Sequence, residues 1–334
     1  MIVTRTPFRI SLFGGGTDYP EWFEKNGGQV ITLAINKYCH VSVRYLPPYF
    51  HYNYRIRFFN EQTTKDVRHI NNPVVRESLQ YLKFNNQKIE IVHQGDLPGL
   101  SGLGASSSFA VGMLNALNKL KNVELNKSQL AKQAIYIERE VVGDNVGFQD
   151  QIISSYGGLR AIKFFMNKKG FSVNTIKIHD EIKRQIEKNL IIVYTDFQRF
   201  SKKITKNLSK KTLDTKNDNH LSEIFKTTHE ASKLFQSRTL DLKLLADLIN
   251  YQWERKKKLA PGITNEAIEK IYHLGFSKGA YGAKLLGAGG GGFLLFVVPD
   301  KNLKNFKQAF SKYMYLQIKI DLVGSQILYD SRCV

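Results

Sequence analysis

Leu97-Pro-Gly-Leu-Ser-Gly-Leu-Gly-Ala-Ser-Ser-Ser108 contains three glycines and four hydroxyl side chains within twelve residues. The residues at 89–93 predict a strand before it, and the residues from Ser106 onward predict a buried helix after it. Glycine adopts positive φ without strain, and the free N–H groups at the start of a helix favour an anion. These residues therefore predict a phosphate-binding loop, with an ordinary glycine- and serine-rich connection as the alternative.

Two common nucleotide-binding motifs do not fit this chain. Gly99 and Gly104 stand at the Walker A spacing, but Ala105-Ser106 follows where that motif requires Lys-[Ser/Thr]. Residues 287–292 match the dinucleotide pattern G-x-G-x-x-G, yet the apolar residues 293–298 after them predict a strand instead of a helix. The first glycine loop thus predicts another type of nucleotide site, and the second predicts a closely packed turn between strands.

The composition is globular, with an unusual positive charge. The 334 residues are 42% hydrophobic and 23% charged, and the formal net charge is +20. Such a charge suits nucleic acid, anionic lipid or an anionic small substrate. No zinc-finger spacing, RNA-recognition signature or repeat accompanies it, and the lysine-rich residues 201–211 predict a solvated helix face or loop. We therefore expect no nucleic-acid partner.

Cysteine content and hydropathy predict a soluble, cytoplasmic protein. Cys39 and Cys333 are too few for a disulfide framework and favour a reducing compartment. The first residues predict a strand without a signal-peptide pattern, and no run of about 18 apolar residues occurs. We therefore expect no membrane partner. The eight histidines lack metal-site spacing.

Residue periodicity predicts a mixture of helices and strands. Residues 29–35 and 38–45 predict a hairpin around the Asn36-Lys37 break. Residues 127–142 predict a helix that ends at a glycine. We expect a domain boundary at 180–190. Beyond it, helical patterns alternate with strands, and the polar linker at 210–220 predicts a mobile loop.

Three motifs resemble, in the same order, those of the GHMP kinases, the family of galactokinase, homoserine kinase, mevalonate kinase and phosphomevalonate kinase. Residues 98–107 fit the central pattern P-x-x-x-G-L-G-x-S-S, while residues 7–19 and 284–293 resemble the first and third motifs. The resemblance implies a two-domain α+β fold. Residues 1–185 would form an ATP- and sugar-binding domain like ribosomal protein S5 domain 2, and residues 186–334 a ferredoxin-like domain.

The resemblance also implies catalytic and metal-binding roles. Asp150, in Gln-Asp-Gln, stands where galactokinase-like members carry the catalytic base, and Arg9 matches the arginine that contacts this aspartate and the transferring phosphate. From sequence alone, a helix cap is the alternative for Asp150 and a surface position is the alternative for Arg9. Ser106 and Glu138 match the ligands of Mg²⁺, with an ordinary solvent-facing charge as the alternative for Glu138.

The same resemblance assigns ATP and the sugar to the motif loops. The residues expected at ATP are Pro98, Gly99, Leu100, Ser101, Gly102, Leu103, Gly104, Ala105, Ser106, Ser107 and Ser108. The residues expected at the sugar are Gly15, Gly16, Thr17, Asp18, Gly287, Ala288, Gly289 and Gly290. Among them, Asp18 matches the family aspartate that binds sugar hydroxyls.

One departure from galactokinase bears on the substrate. Galactokinase carries Glu-His before Thr-Asp, whereas this chain has Gly15-Gly16, a form that resembles bacterial kinases of the D-glycero-D-manno-heptose 7-phosphate kinase type, with fucokinase as a related branch. The resemblance implies ATP- and Mg²⁺-dependent phosphorylation of the anomeric hydroxyl of heptose 7-phosphate to the 1,7-bisphosphate, for nucleotide-activated heptose in surface polysaccharide.

Alternatives to this substrate stay open at this point. They are another GHMP small-molecule kinase, either fucokinase-like or an isoprenoid kinase, and a non-catalytic basic binding protein on the same fold. The oligomeric state is also open. The cations available to a substrate phosphate are Arg199, Lys202, Arg255, Lys256, Lys257 and Lys258.

Overall fold

The computed structural model describes residues 1–58, 60–168, 170–196 and 218–332. Within them, the strands are β1 (Ile2–Phe13), β2 (Gly28–Tyr45), β3 (Tyr54–Arg57), β4 (Glu61–Thr64), β5 (Ile89–Gly95), β6 (Leu159–Phe164), β7 (Phe171–Thr175), β8 (Leu190–Tyr194), β9 (Gly282–Leu285), β10 (Phe293–Val297), β11 (Tyr315–Gln317) and β12 (Gln326–Asp330). The helices are α1 (Pro20–Asn26), α2 (Pro73–Tyr81), α3 (Ala105–Leu120), α4 (Lys127–Ile135), α5 (Gln149–Tyr156), α6 (Asp180–Asn189), α7 (Asp218–Leu234), α8 (Leu242–Leu259), α9 (Glu266–Ser277) and α10 (Leu303–Ala309). Short 3₁₀ turns span Val67–His69 and Asp300–Asn302, and a π turn spans Tyr136–Val141.

Two sheets organise these elements. The first has the strand order β12-β1-β2-β5-β3-β4, and β6 joins it through β2 and carries β7 on its other side. The 18-residue β2 allows this branching because residues 28–33 pair with β6 and residues 39–45 pair with β5. The second sheet has the order β11-β8-β10-β9. Helices pack against both sheets, which confirms the predicted α+β class.

The predicted hairpin at residues 29–45 is wrong, because β2 runs through Asn36-Lys37 without reversing. These two residues bulge out of the pairing with β1, whose register shifts between Pro7 and Phe8. Asn36 bonds the C-terminal segment, since its N–H donates to Lys319 O and its Oδ1 accepts from Lys319 N, both at 2.9 Å. Strand pairing on both edges of β2 thus overrides the local polar break.

The strand β12 returns to the first sheet. It pairs with the start of β1, where Ile2 lies opposite Asp330. This strand falls within residues 186–334, which the sequence assigns to a second domain. One strand therefore crosses the proposed division at residue 185, and the division itself stays a prediction.

Helix α3 brings the first glycine loop to the middle of β1. The helix packs across β1 and β2, and Thr4 Oγ1 donates to Gly112 O at 3.0 Å. Near the helix start, Ser108 Oγ donates to Pro7 O at 2.9 Å. The N-terminus of a 16-residue, largely buried helix therefore lies beside the strand that carries Arg9.

The helix predicted over residues 127–142 changes its winding before it ends. α4 stops at Ile135, and in the π turn that follows Val142 N–H donates to Ile137 O at 2.9 Å. Such turns are frequent at functional sites. This one contains Glu138.

Several predicted features lie outside the described residues: the lysine-rich run 201–211, most of the polar linker 210–220, Arg199, Lys202 and Cys333. Cys39 is buried in the core. Within the described ranges, no helix is both long and apolar enough to cross a membrane.

Candidate active site

Two glycines in the left-handed region shape the loop between β5 and α3. Gly102 has φ +81°, and a Cβ there would lie 2.5 Å from Leu286 O. Gly104 has φ +75°, and a Cβ there would lie 3.0 Å from the Arg9 side chain. Any larger residue would be strained by its own backbone and by these neighbours. The loop is thereby held against both β1 and the third motif.

The residues of this loop differ in exposure. Those that are buried are Ser101, Gly102, Leu103, Ser107 and Ser108. Those that are partly or fully exposed are Pro98, Gly99, Leu100, Gly104, Ala105 and Ser106. The Ser101 hydroxyl is buried and lacks a hydrogen-bond partner within the described structure. An unused hydroxyl in a glycine loop at a helix N-terminus fits a phosphate ligand.

The third motif is a turn between β9 and β10, as its sequence predicts, and it packs on the first glycine loop. Phe293 N–H donates to Ser101 O at 3.1 Å. Gly289 is buried. The other predicted substrate contacts of this turn, which are partly exposed, are Gly287, Ala288 and Gly290. The fold thus brings the first glycine loop, which carries the central motif, against the third motif.

Arg9 and Asp150 form a two-pronged ion pair at the centre of the site. Arg9 Nε donates to Asp150 Oδ1 at 2.7 Å, and Arg9 Nη2 donates to Asp150 Oδ2 at 2.6 Å. The remaining Nη1 donates to Gly102 O at 2.6 Å. Arg9 is only 5% exposed, so it is not a surface residue. Within the described structure, no side-chain bond caps the start of α5, and the side chain of Asp150 is 25% exposed.

Two residues that sequence reasoning missed orient this carboxylate. Ser11 Oγ donates to Gln149 Oε1 at 2.9 Å, and Gln149 Nε2 donates to Asp150 Oδ1 at 3.1 Å. Asp150 Oδ1 therefore accepts from both Arg9 and Gln149, which leaves it little freedom to rotate. The position of Gln149 directly before Asp150 is a signal that sequence reasoning could have used. No pattern in the residues around Ser11 indicates its contact with Gln149.

Asp18 joins the first motif to the start of α5. Its Oδ1 accepts from Gly16 N at 3.0 Å, and its Oδ2 accepts from Gln149 N at 3.3 Å. Gly147 packs against this carboxylate so closely that a Cβ would overlap it. The side chain is 7% exposed. Burial, followed by the negative charge of Asp150, raises the pKa of Asp18 to about 6.

The other predicted sugar contacts of the first motif have different surroundings. Thr17 is fully buried, and its hydroxyl donates to Gly14 O at 2.8 Å and accepts from Gln29 N at 3.2 Å. Its side chain therefore holds the loop together. Gly15 and Gly16 are partly exposed beside it.

Glu138 is buried, at 1% exposure, and so is not a solvent-facing charge. Gln151 Nε2 donates to Glu138 Oε2 at 2.6 Å, and the hydroxyl of Ser107 also bonds this carboxylate. Burial raises the pKa of Glu138 to about 7, although these two hydrogen bonds act to lower it. The neighbouring Glu140 is exposed.

The surroundings of Glu138 fit a cation with oxygen ligands. Its carboxylate lies beside the Ser107 hydroxyl, while Ser106 is exposed on the first turn of α3. Gln151 Oε1 is buried without a hydrogen-bond partner in the described structure. Within the same residues, no three His, Cys, Asp or Glu side chains form a metal cluster. Mg²⁺ nevertheless needs only one or two carboxylates when substrate phosphates complete its shell.

A buried lysine from the second sheet also reaches this region. Lys284, on β9, is 4% exposed, and its Nζ donates to Leu12 O at 3.0 Å. Burial, followed by the positive charge of Arg9, lowers the pKa of Lys284 to about 7. Sequence reasoning gave Lys284 no role, although a lysine within an apolar strand pattern is a usable signal.

The predicted phosphate cations on α8 differ in their contacts. Arg255 and Lys257 are each paired with a glutamate. Lys256 Nζ donates to the carbonyls of Leu285 and Gly287, which places it at the third motif. Lys258 is exposed.

Two family models match this chain, one on each side of the proposed division. The model of the GHMP kinases N terminal domain matches residues 72–158, and the model of the GHMP kinases C terminal matches residues 231–316. The D-glycero-alpha-D-manno-heptose 7-phosphate kinase of Campylobacter jejuni is 30% identical over 325 residues, which cover 93% of this chain and 93% of that protein. The L-fucokinase/L-fucose-1-P guanylyltransferase of Bacteroides fragilis is 28% identical, covering 89% of this chain and 34% of that longer protein.

A solved structure shows the same fold. The D-glycero-D-manno-heptose 1-phosphate kinase from Bacteroides thetaiotaomicron has a TM-score of 0.79 and 19% identity, and the match covers 99% of both chains. The predicted resemblance and its two-domain fold class are confirmed. The chain belongs to the GHMP kinases and is a sugar kinase of that family, a phosphotransferase whose acceptor is an alcohol group.

Proposed function

We propose that this kinase transfers the γ-phosphoryl group of ATP to the anomeric hydroxyl of D-glycero-D-manno-heptose 7-phosphate. The product would be the 1,7-bisphosphate, for nucleotide-activated heptose in surface polysaccharide. The Arg9–Asp150 pair carries this proposal, because it fixes a carboxylate where the first glycine loop meets the first motif. The name of the Campylobacter jejuni relative supports the choice of heptose 7-phosphate.

Asp150 is the proposed base of the transfer. Its carboxylate takes the proton of the acceptor hydroxyl while that oxygen forms a bond to the γ-phosphorus; the bond from phosphorus to the β-phosphate oxygen breaks, and ADP leaves. Arg9 orients the carboxylate and supplies positive charge beside the moving phosphoryl group. Gln149 Nε2 donates to Asp150 Oδ1, the same oxygen that accepts from Arg9 Nε, and so helps to fix the carboxylate.

The loop at residues 98–108 is the proposed nucleotide site. Backbone N–H groups at the start of α3 would face the phosphates of ATP. Glu138, with the hydroxyl of Ser106 or Ser107, would hold Mg²⁺, which supplies charge neutralisation at the β- and γ-phosphate oxygens when bound. Gln151 would orient Glu138 for that purpose.

The first-motif loop is the proposed sugar site, and its glycines support a sugar other than galactose. A Cβ at Gly16 would lie 3.0 Å from Leu221 Cδ2, and one at Gly15 would lie 3.3 Å from Ser11 Oγ. The two large polar residues of galactokinase would crowd these neighbours. Asp18 remains to bind sugar hydroxyls, and we propose Lys256 as a cation for the 7-phosphate because its Nζ lies at the third motif.

One panel of acceptors tests the proposal. Phosphoryl transfer from ATP is measured with heptose 7-phosphate, free heptose, fucose, galactose and mevalonate, each across a concentration series. We expect kcat/KM for heptose 7-phosphate to exceed every other value by about a hundredfold or more, because charge-assisted bonds to the phosphate add to those of the hydroxyls. Equal values for free and phosphorylated heptose, or a higher value for fucose, would reject heptose 7-phosphate and favour the fucokinase-like alternative.

A further inference from the structure

The strand β1 ends in an irregularity that needs an outside partner. Its register with β2 places Ser11 opposite Thr32 and Phe13 opposite Ile31, so Leu12 is skipped. A bulged residue drops out of the ladder, and a buried carbonyl then needs another donor. Lys284 is that donor for Leu12 O. It comes from β9, in the other sheet.

A second bond from the same half of the chain lies two residues later. Gly14 N–H donates to Gln252 Oε1 at 3.1 Å. Gln252, on α8, is buried, and its Nε2 donates to Ile224 O at 2.9 Å and to Thr228 Oγ1 at 3.0 Å. Its acceptor and its donors are therefore all in use. One amide thus links the loop after β1 to both α7 and α8.

Leu12 and Gly14, which receive these contacts, lie in the same loop region as Asp18. Leu221, also on α7, lies against Gly16. The nucleotide loop is anchored differently, through Arg9 N–H to Leu103 O at 2.9 Å and through its bond with the third motif. A disturbance at Gln252 would therefore reach the first-motif loop before it reaches the nucleotide loop.

We propose that Gln252 and Lys284 are positioning residues, through which the second half of the chain sets the conformation of residues 12–18 and hence the affinity for the acceptor sugar. The link to sugar affinity rests on the proposed function, whereas the link to loop conformation does not. Neither residue needs to touch the substrate. Their effect is transmitted by the peptide groups of Leu12 and Gly14.

The test uses amide hydrogen exchange of peptides containing residues 12–18 in the full-length protein without substrate. Gln252→Met keeps an unbranched side chain but loses the acceptor for Gly14 N–H, so exchange should accelerate by about tenfold. Asp247→Asn is the control on the same helix, because Asp247 also lies on α8 but is exposed and pairs with Lys243 of that helix, away from β9 and from residues 12–18. Its loss should leave exchange at residues 12–18 within about twofold of wild type.

Lys284→Met is the second variant. It leaves Leu12 O without its donor, but it also removes a buried charge, and these effects on stability oppose each other, so it should fold even if Gln252→Met does not. It too should accelerate exchange at residues 12–18. Wild-type exchange there in either folded variant overturns the proposal.

Steady-state kinetics then test the link to the sugar. In Gln252→Met, KM for heptose 7-phosphate should rise by about tenfold while KM for ATP stays within about twofold. An equal rise in both constants overturns the link. If the wild type does not phosphorylate heptose 7-phosphate, the proposed function fails, and exchange alone decides the positioning role.

Discussion

At neutral pH, Asp18→Asn should be more stable than wild type, because the folded wild type must then bury the negative charge of Asp18. The pKa of Asp18 rises from 3.8 to about 6 on folding. A raised pKa means that the contribution of Asp18 to stability is fully present below its unfolded value and is lost as the pH rises through about 6. Each pH unit between the unfolded and the folded pKa of Asp18 lowers the free energy of unfolding by about 1.36 kcal/mol. Above pH 7, the wild type has therefore lost about 3 kcal/mol of stability.

Asparagine does not titrate, but it has only one side-chain oxygen to accept the two backbone hydrogen bonds that the carboxylate of Asp18 accepts. Its amide nitrogen must face the N–H of Gly16 or Gln149, which costs about 1–2 kcal/mol at every pH. We therefore expect Asp18→Asn to be less stable than wild type near pH 4 and to overtake it between about pH 4.5 and pH 5.5. The variant should meanwhile lose affinity for the sugar.

Urea unfolding of both proteins, at a series of pH values, measures this difference. Trp22 and Trp253 report from α1 and α8, so coincident fluorescence transitions would support a two-state comparison. Asp247→Asn removes an exposed charge and serves as the control. If the difference in unfolding free energy between Asp18→Asn and wild type changes by less than about 0.5 kcal/mol from pH 4 to pH 8, the reasoning is refuted.

Three further substitutions probe the site. Asp150→Asn should leave ATP binding nearly intact while turnover falls by about two orders of magnitude, and turnover above about a tenth of wild type would remove Asp150 as the base. Glu138→Gln should raise the Mg²⁺ concentration needed for half-maximal activity, whereas Glu140→Gln should not; matching titrations would place the metal elsewhere. Gly104→Ala should lower the free energy of unfolding by about 1–3 kcal/mol, since the φ of +75° is retained only under strain, and wild-type urea midpoints would contradict this.

The parts of the fold that sequence predicted correctly are those encoded locally. Apolar periodicity and glycine placement identified β5, the glycine loop and α3, and β10 followed from an unbroken apolar run. The hairpin within β2 failed because pairing partners far along the chain decided the path of Asn36-Lys37. The short β12 has half-exposed residues and a partner at the other end of the chain, so no local pattern marks it.

The residues of the site also fall into those that the sequence predicted and those that depend on distant partners. Arg9 and Asp150 lie 141 residues apart, and the match to family motifs alone brought them together before the structure did. The role of Ser11 could not be predicted, because it depends on an acceptor in a distant segment. A lysine in an apolar strand pattern marks Lys284 as unusual, but its acceptor, Leu12 O, is 272 residues away and cannot be inferred from that pattern. Ser107 was assigned to the nucleotide loop, yet the phase of α3 turns its hydroxyl toward Glu138 and leaves Ser106 exposed.

The pairing of β12 with β1 also constrains how the protein is made. The N-terminal strand leaves the ribosome early, but its partner at residues 326–330 is synthesised about 15 to 60 s later at usual elongation rates. Until then, the backbone of residues 2–5 is an open edge to which another nascent chain can pair. Completion of the first sheet therefore waits until β12 has been synthesised, whatever the state of the strands between them.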